Sequence, residues 1–364
     1  MHDNNDIAVY IHWPFCKSKC PYCDFYKELY INVNQDDIIN EYIISLYRYH
    51  ELLPDRCVKS VFFGGGTPSL ILPHNIEKIL NTICKLWPLC PDSEISLEAN
   101  PNTDSATLFS DLKQAGINRL SLGVQALNDT DLHFLGRTHN TADARQCLEK
   151  IVKTFDNHSA DLIYARPEQK LAQWQNELKE ITSYGLRHLS LYQLTIEENT
   201  VFARKNIKPL SDDKALEMYK FSGDFLAAEN YPQYEVSNYA VPQFASRHNL
   251  NYWQGGEYIG IGKSAHGRLK INNKHIATVY PFIDEELTPE QRAEELIIMG
   301  LRLVQGINKA EFKQICGMEI ADYINQEKLK LFSEAGLLEE TSDYLRATKQ
   351  GFVLLNQIMA GLCI

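Results

Sequence analysis

The sequence lacks an excess of basic residues. It has 36 Lys and Arg residues against 47 Asp and Glu residues, and its formal net charge at pH 7 is −11. From residue 288 onward, 8 basic residues stand against 11 acidic ones, a net charge of −3. Since a protein that follows a nucleic-acid backbone needs a basic face, we expect no nucleic-acid partner.

Long apolar runs and targeting signals are also missing. No stretch of about 18 apolar residues is present, which predicts no membrane-spanning helix and leaves only peripheral membrane association. The first fifteen residues lack a basic start followed by an apolar run, so we expect no secretory signal. There are no internal repeats and no low-complexity segments.

Disulfide-framework spacing is absent as well. Three of the nine cysteines form one cluster, and the other six are scattered: Cys57, Cys84, Cys90, Cys147, Cys316 and Cys363. This distribution is typical of a protein in a reducing environment and predicts a cytoplasmic location.

The first two-thirds of the chain alternates between two kinds of segment. Short β-branched and aromatic runs predict strands, and longer amphipathic runs predict helices. The strand-like runs are IAVYIHW from Ile7, VKSVFF from Val58, EISLE from Glu94, RLSLGV from Arg119, ADLIYA from Ala160 and HLSLYQL from His188. The helix-like stretches lie near 36–53, 73–87, 104–115, 142–154, 170–184 and 211–229.

Repeated βα units of this kind predict an α/β fold with a parallel sheet and right-handed crossovers. Six units are too few for a closed eight-stranded barrel, so we expect an open, partial (β/α)6 barrel of the TIM type over residues 1–210. Residues 211–287 are expected to form a connecting α/β segment. Residues 288–364 are expected to form a mostly helical, winged-helix-like domain.

The segment YIHWPFCKSKCPYCDFY places Cys16, Cys20 and Cys23 in a C-x3-C-x2-C pattern. It follows the first predicted strand, and no fourth cysteine or histidine lies close after it, since Asp24, Phe25 and Tyr26 come next. Three thiolates can hold three irons of a 4Fe–4S cluster and leave the fourth iron free. That iron can bind the amine and carboxylate of S-adenosylmethionine (SAM), whose sulfonium one cluster electron can cleave to a carbon radical.

Two other interpretations of the cysteine segment stay open at this point. His12 or Asp24 could complete a zinc site, or the cysteines could simply pack in the core. Zinc sites of this size usually have a second pair of ligands further along the chain, and that pair is absent here.

A glycine-rich turn, FFGGGTPS, directly follows the second predicted strand. Three consecutive glycines let the backbone approach a ligand closely. The turn is not a phosphate loop, because no Lys-Ser or Lys-Thr follows the glycines. It could also be no more than a tight turn before a helix that starts at Pro68, but its position beside the cysteine segment favours a ligand site.

Polar residues mark the ends of the later strands. Glu98 ends the third strand, Gln125 the fourth, and Asp161 lies in the fifth; Arg137 follows twelve residues after Gln125. Functional side chains of parallel βα folds gather at the carboxyl ends of the strands. A carboxylate such as Glu98 suits ribose hydroxyls, and Arg137 suits a carboxylate through two hydrogen bonds. Each residue alone also has a structural explanation, as a helix N-terminal acid, a buried amide or a surface ion pair.

The cysteine pattern, together with GGGTP, SLEANP and GVQ, resembles the radical SAM superfamily. The stretches YIHWPFCKSKCPYCDF, DLIYARPEQ, HNLNYW and GIGKSAHG are similar to its coproporphyrinogen-oxidase-like branch, and within that to the haem-chaperone group. The similarity runs from about Tyr10 to the C-terminus. It implies a partial barrel, a 4Fe–4S cluster on Cys16, Cys20 and Cys23, and bound SAM. The implied SAM-binding residues are Tyr10, Gly65, Gly66, Thr67, Glu98, Gln125, Arg137 and Asp161.

The stretch HNLNYW matches every fixed position of the H-N-x-x-Y-W signature that this family carries for haem. The resemblance implies that His248 is an axial haem ligand and that Tyr252 and Trp253 shape the pocket. An imidazole is a common haem ligand, and its ordinary pKa near 6.5 predicts that acid weakens the bond. Two alternatives stay open. The stretch could be a loop whose histidine forms hydrogen bonds while the aromatic residues pack, and one of the cysteines elsewhere in the chain could ligate haem instead.

The resemblance implies a chaperone that delivers haem to acceptor haemoproteins, with respiratory cytochromes as candidate acceptors. An oxygen-independent coproporphyrinogen III oxidase is the alternative function, and a zinc-containing structural module is a third. The oxidase carries a cysteine two residues after its third one, where this chain has Phe25, and it has a longer segment before the cysteines. Both features predict that oxidase activity is absent.

Two stretches depart from the family pattern. Where DLIYG-L-P-G is usual, this chain has Ala165, Arg166 and Glu168, which replaces two small residues and adds a pair of charges. Where GIG-P-G-AHG is usual, it has Lys263 and Ser264. Both loops are expected to face the central cavity.

Overall fold

The computed structural model describes residues 5–101 and 107–363. The strands are β1 (Asp6–Trp13), β2 (Phe15–Cys16), β3 (Glu28–Leu29), β4 (Cys57–Gly65), β5 (Leu89–Ala99), β6 (Arg119–Gln125), β7 (Asn157–Tyr164), β8 (His188–Gln193), β9 (Asn238–Ala240), β10 (Tyr258–Ile261), β11 (His266–Ile271), β12 (Lys274–Val279), β13 (Ile283–Leu287), β14 (Ile307–Asn308), β15 (Leu338–Glu340) and β16 (Tyr344–Ala347).

The helices alternate with these strands in the first two-thirds of the chain and dominate its end. They are α1 (Gln35–Leu52), α2 (Pro73–Leu86), α3 (Leu108–Gln114), α4 (Asp129–Phe134), α5 (Thr141–Thr154), α6 (Leu171–Ser183), α7 (Val201–Arg204), α8 (Asp212–Ala228), α9 (Arg247–Trp253), α10 (Pro289–Gly300), α11 (Lys309–Cys316), α12 (Gln326–Glu334), α13 (Lys349–Val353) and α14 (Leu355–Leu362). Short 3-10 turns span Pro68–Leu70 and Ile320–Asp322.

The main sheet has 11 strands in the order β13-β12-β11-β10-β1-β4-β5-β6-β7-β8-β9. The six strands predicted from the sequence, β1 and β4 to β8, are neighbours and pair in parallel. The expectation of an open, partial barrel is therefore confirmed. The segment after α8 adds β9 antiparallel to β8 and β10 parallel to β1.

The parallel strands are buried on both faces, which explains their nearly continuous apolar runs. Every residue of Arg119–Val124 is buried, and β1 exposes almost nothing. One large core packs between these strands and the outer helices α1, α2, α3, α5, α6 and α8. The helices predicted from periodicity are present, although residues 104–106 of the third one lie outside the described residues.

The C-terminal part of the chain forms its own hydrophobic cluster. Leu296, Ile297, Phe312 and Ile358 are buried there, contributed by α10, α11 and α14. A small sheet in the order β14-β16-β15 packs with these helices. This combination agrees with the expected helical, winged-helix-like end of the chain.

The structure corrects one expectation about the cysteines. Cys57 and Cys90 form a disulfide between the start of β4 and the start of β5, with 5.5 Å between their Cα atoms. They are separated by 33 positions, and only the parallel pairing of the two strands brings them together. In the described ranges, no helix is long and apolar enough to cross a bilayer.

Candidate functional site

A cavity of about 350 Å³ opens at the carboxyl ends of the parallel strands. The loop that follows β1, the carboxyl-terminal ends of β4, β5, β6 and β7, and the segment after β8 contribute to its wall. It contains most of the residues that the sequence nominates: Cys16, Cys20, Cys23, Gly65, Gly66, Thr67, Glu98, Gln125, Arg137 and Asp161. The fold therefore gathers residues from five separate segments at one place, as expected for strand ends in a parallel sheet.

The spacing of the three cysteines distinguishes between a cluster and a single zinc ion. Two thiolates on one zinc lie at most about 4.6 Å apart, because each Zn–S bond is about 2.3 Å. In the described part of the chain, the one set of three His, Cys, Asp or Glu ligand atoms within 4.8 Å of one another does not include Cys16, Cys20 or Cys23. Their sulfurs are thus spread too widely for one ion and suit the larger iron–sulfur cluster.

His12 does not offer a free nitrogen to complete a zinc site with the cysteines. Its Nδ1 atom is hydrogen-bonded to the Tyr10 hydroxyl at 2.9 Å, and its Nε2 atom to the Tyr26 carbonyl at 3.3 Å. Burial lowers the pKa of this imidazole, so it stays neutral and holds the two aromatic residues together. His12 supports the chain that follows the cysteines and is not one of their co-ligands.

The cysteine segment is fixed to the glycine-rich turn by backbone hydrogen bonds. The Gly66 N–H donates to the Trp13 carbonyl at 2.7 Å, and the Thr67 N–H donates to the Phe15 carbonyl at 2.9 Å. A Cβ atom at position 66 would lie 2.8 Å from the Phe15 carbonyl oxygen, closer than atoms can approach. The glycine is required because the two loops touch through their backbones.

Arg137 connects three parts of the cavity wall. Its Nη1 atom lies 3.5 Å from the Cys20 sulfur, and Nη2 donates to the Gly123 carbonyl at 3.1 Å and to the side-chain oxygen of Asn100. Asn100 in turn donates to the Thr67 hydroxyl at 3.1 Å. The sequence analysis did not nominate Asn100, although it stands in the quoted SLEANP stretch two positions after Glu98.

Glu98 and Asp161 form a pair of carboxyl groups on the cavity wall. Burial and the charge of Asp161 raise the pKa of Glu98 to about 8, although the carboxyl group accepts a hydrogen bond from the Gly65 N–H at 3.2 Å. Burial also raises the pKa of Asp161, which accepts from the Ser121 hydroxyl at 3.1 Å. At neutral pH Glu98 therefore largely keeps its proton, and a ligand that donates a hydrogen bond to it favours release of that proton.

Gln125 reaches the cavity because β6 is irregular at its end. The register between β6 and β7 shifts between Gly123 and Gln125, and Gln125 has a φ of 68°. Bulges of this kind often turn a side chain toward a functional site. The amide of Gln125 is thereby placed in the cavity wall.

An inner chamber of about 150 Å³ lies inside the partial barrel and shares Glu98 and Asp161 with the outer cavity. Tyr10, His248 and Tyr252 line this chamber. Tyr10 is thus placed one layer deeper than the other nominated SAM residues, with its ring centroid 6.3 Å from that of His248.

His248 is almost completely enclosed, with 1% of its surface exposed. Its Nδ1 atom is hydrogen-bonded to Ser60 at 2.9 Å and its Nε2 atom to the Tyr252 hydroxyl at 2.7 Å, while the ring stacks on Phe62. Burial, together with the charges of nearby cationic groups, lowers the pKa of His248 to about 3. In this arrangement both nitrogens are occupied, and the imidazole remains neutral at pH 6.5.

Trp253 is separated from the other two residues of the signature. It lines a crevice against the C-terminal part of the chain, beside Leu296 and Phe312. The guanidinium of Arg302 stands 5.4 Å from the centre of its ring. The structure therefore brings His248 and Tyr252 together in the chamber and directs Trp253 elsewhere.

Glu94 and Arg119, which the sequence analysis missed, hold α9 in place. The Glu94 carboxylate accepts hydrogen bonds from the backbone N–H groups of Arg247 and His248 and from the Ser246 hydroxyl, at 3.2 to 3.3 Å. Arg119 approaches this carboxylate at 3.9 Å. The sequence contains one indication of this role: Glu94 and Arg119 are charged residues in two strand-like runs that are otherwise mostly apolar.

The two loops that depart from the family pattern were expected to face the central cavity, but Arg166, Glu168 and Lys263 do not line it. Arg166 is fully buried and pairs with Glu177 and, at 2.9 Å, with Asp131, whereas Glu168 is exposed. The two added charges therefore do not pair, and Arg166 also donates to the Ile163 carbonyl at 2.7 Å. Lys263 is exposed too, and its ammonium bonds to Glu28 at 2.8 Å.

The comparisons with known proteins agree with this geometry. The profile of the radical SAM superfamily matches residues 10–195, and that of the HemN C-terminal domain matches residues 287–354. Among the similar proteins is "Heme chaperone HemW" of Escherichia coli, 34% identical, with 97% of each chain covered. A protein of the same description from Buchnera aphidicola is also 34% identical and covered to 97%.

A mitochondrial relative and a solved structure extend the comparison. "Radical S-adenosyl methionine domain-containing protein 1, mitochondrial" of Bos taurus is 34% identical, covering 98% of this chain and 87% of its own. The solved coproporphyrinogen III oxidase of Escherichia coli superposes with a TM-score of 0.81, covering 98% of this chain and 89% of that one. At 21% identity, this likeness concerns the fold.

Proposed function

Since the chain belongs to the radical SAM superfamily, and within it to the family of the haem chaperone HemW, we propose that it binds haem and transfers it to acceptor haemoproteins in the cytoplasm. The observation that carries the proposal is the match over nearly the whole chain to relatives described as haem chaperones. Respiratory cytochromes are the candidate acceptors, because they need haem inserted after synthesis.

The second part of the proposal is a 4Fe–4S cluster on Cys16, Cys20 and Cys23 with SAM beside it. Three soft sulfur donors at one cavity, spaced too widely for a single ion, fit such a cluster. When bound, the cluster supplies one electron to the SAM sulfonium. Arg137 would bind the SAM carboxylate and Glu98 a ribose hydroxyl, and the Gly65–Thr67 turn would hold the amino end close to the cysteines.

The third part concerns haem. We propose His248 as the axial ligand, and the geometry adds a condition to this proposal. A macrocycle does not fit a chamber of about 150 Å³, and both imidazole nitrogens already have partners. Haem ligation by His248 therefore requires α9 to move away from Ser60 and Phe62, so haem binding and the packing of α9 compete.

A coproporphyrinogen III oxidase is the second candidate, favoured by the fold likeness to that enzyme. Phe25 argues against it. The residue stands where the oxidase has a further cysteine, at the edge of the cavity, and 63% of its surface is exposed. A phenyl ring cannot supply the sulfur that the oxidase has at this place.

Two parallel measurements on anaerobically reconstituted protein test the proposal. Haem titration should give a saturable Soret band, and incubation with coproporphyrinogen, SAM and reductant should give no protoporphyrinogen. Replacing Cys16, Cys20 or Cys23 by Ser should remove the visible iron–sulfur absorption, while Cys84→Ser, at an exposed cysteine, should not. Protoporphyrinogen formation at enzymic rates would favour the oxidase, and a full cluster in all three variants would exclude the cluster assignment.

A further inference from the structure

Asp6, Cys57 and Cys90 meet at the edge of the sheet that lies opposite the functional cavity. They stand at the amino-terminal ends of β1, β4 and β5, which are neighbours in the sheet. Asp6 is opposite Cys57 in the strand register, and Cys90 lies one position after Leu89, the partner of Val58. The Cys90 sulfur is 3.4 Å from an Asp6 carboxylate oxygen.

The three side chains have the composition of a metal site. One ligand atom from each lies within 4.8 Å of the other two, and all three residues are half-buried. No other trio of His, Cys, Asp or Glu in the described ranges meets this distance. Two thiolates and one carboxylate are ligands that Zn²⁺ accepts readily, and harder ions such as Mg²⁺ or Ca²⁺ avoid sulfur.

The backbone keeps the ligands in place without the metal. Each ligand is borne by a strand that is hydrogen-bonded to its neighbour, and the Cys57 N–H donates to the Asn5 carbonyl at 2.9 Å. Two cations lie nearby: Arg56 is paired with Glu257 at 3.0 Å, and the Lys59 ammonium is attracted by Asp6 and Glu257.

We propose that the reduced chain binds one thiophilic divalent cation, Zn²⁺ above all, through Cys57, Cys90 and Asp6, and that the disulfide excludes it. A phosphine reductant donates two electrons to the S–S bond, which gives two thiols and, with water, the phosphine oxide. Zn²⁺ then replaces the two thiol protons, which pass to the buffer. Three protein ligands leave the fourth position of the tetrahedron to water.

The test uses the whole protein with its iron–sulfur cluster, kept anaerobic. Protein with and without a water-soluble phosphine is dialysed against Zn²⁺, and zinc and iron are measured together with the number of free thiols. We expect two additional thiols and one zinc per chain after reduction, and no zinc without it. Cys57→Ser and Cys90→Ser should each abolish zinc binding with iron unchanged, and Asp6→Asn should weaken it at least tenfold.

Cys84→Ser is the matched control, since Cys84 is free, exposed and outside the trio. It should leave the zinc content at the wild-type value, and circular dichroism should show that all variants are folded. Zinc that persists in Cys57→Ser, or that fails to bind to the reduced wild type, would refute the site. If zinc is gained while iron is lost, the ion is bound by Cys16, Cys20 and Cys23 and the proposed site is refuted. If zinc binds equally before and after reduction, the disulfide does not exclude the ion.

Discussion

The Nη1 atom of Arg137 lies 3.5 Å from the sulfur of Cys20, so a half-buried guanidinium touches the loop proposed to hold the iron–sulfur cluster. Burial works against the charged form of Arg137, yet its acidic neighbours, the Tyr22 hydroxyl and the Cys20 thiol, raise its pKa. The cation is therefore permanent. It stands between the cysteines and the strand ends, where an anionic group of a ligand would be bound.

We predict that Arg137→Met weakens SAM binding by 10- to 100-fold. A hydrogen bond to a charged group contributes about 1.5–3 kcal/mol, and each 1.36 kcal/mol is a factor of ten in affinity. Equilibrium dialysis with labelled SAM measures the affinity, and the iron content shows whether the cluster is intact. Arg145→Met, at an exposed arginine paired with Glu180, is the control and should bind SAM normally. Equal affinities of the two variants would contradict the role given to Arg137.

The sequence was sufficient to predict the six central strands. Each is a β-branched, apolar run followed by an amphipathic helix, and this local alternation is enough to imply a parallel sheet. It could not reveal that Tyr258–Ile261 joins the same sheet beside β1, since that pairing depends on residues remote in the chain. The disulfide between Cys57 and Cys90 was missed for the same reason.

The sequence indicated several of the polar residues at the site, but it did not show which other residues contact them or where each side chain points. Glu98 and Asp161 were nominated because they lie in predicted strands and Arg137 because it comes after one, and all three line the cavity. Asn100 was missed, because its role is to bridge two other side chains, which no local pattern records. Trp253 was grouped with His248 by the motif, but a short helix directs neighbouring residues to different sides.

We predict that SAM affinity rises with pH up to about 8. Burial and the charge of Asp161 raise the pKa of Glu98 to about 8 in the free protein, so the group is largely protonated at neutral pH. A ribose hydroxyl that donates to Glu98 favours the ionised form, so binding lowers this pKa and releases a proton. The affinity should therefore increase from pH 6.5 to 8 and level off above it.

Calorimetry in buffers of different ionisation enthalpy measures the released proton directly. Glu98→Gln cannot ionise, and its SAM affinity should be low and independent of pH over this range. If the SAM affinities of the wild type and of Glu98→Gln depend on pH in the same way, a group other than Glu98 is responsible for the pH dependence.

Glu168→Gly should stabilise the protein. Glu168 is exposed, and its φ of 61° lies in the left-handed region, which costs an L-residue about 1–2 kcal/mol and glycine much less. After allowance for the greater freedom of glycine in the unfolded chain, we expect a gain of about 0.5–1 kcal/mol in the free energy of unfolding. Urea titration followed by circular dichroism measures it. Glu168→Ala keeps the strained Cβ while it removes the charge, and a gain as large in that variant would show that charge is the cause.

The last prediction concerns the competition between haem and Tyr252 for one nitrogen of His248. The Tyr252 hydroxyl is 2.7 Å from Nε2 of His248, and haem ligation through this nitrogen must break that hydrogen bond. Tyr252→Phe removes the bond and keeps the ring. Because a hydrogen bond contributes about 1 kcal/mol, this variant should bind haem about fivefold more tightly.

Tyr258→Phe is the control, because Tyr258 packs against Tyr252 at 4.5 Å between ring centroids, while the two imidazole nitrogens are bonded to Ser60 and Tyr252. Haem affinity of that variant should match wild type, whereas His248→Ala should bind weakly and with a shifted Soret band. Hydrogen exchange of the amides in Arg247–Trp253 should increase when haem is added, because α9 must leave its place beside Phe62. Unchanged affinity in both Tyr252→Phe and His248→Ala would mean that another residue binds the iron and that His248 serves to pack α9 into the barrel.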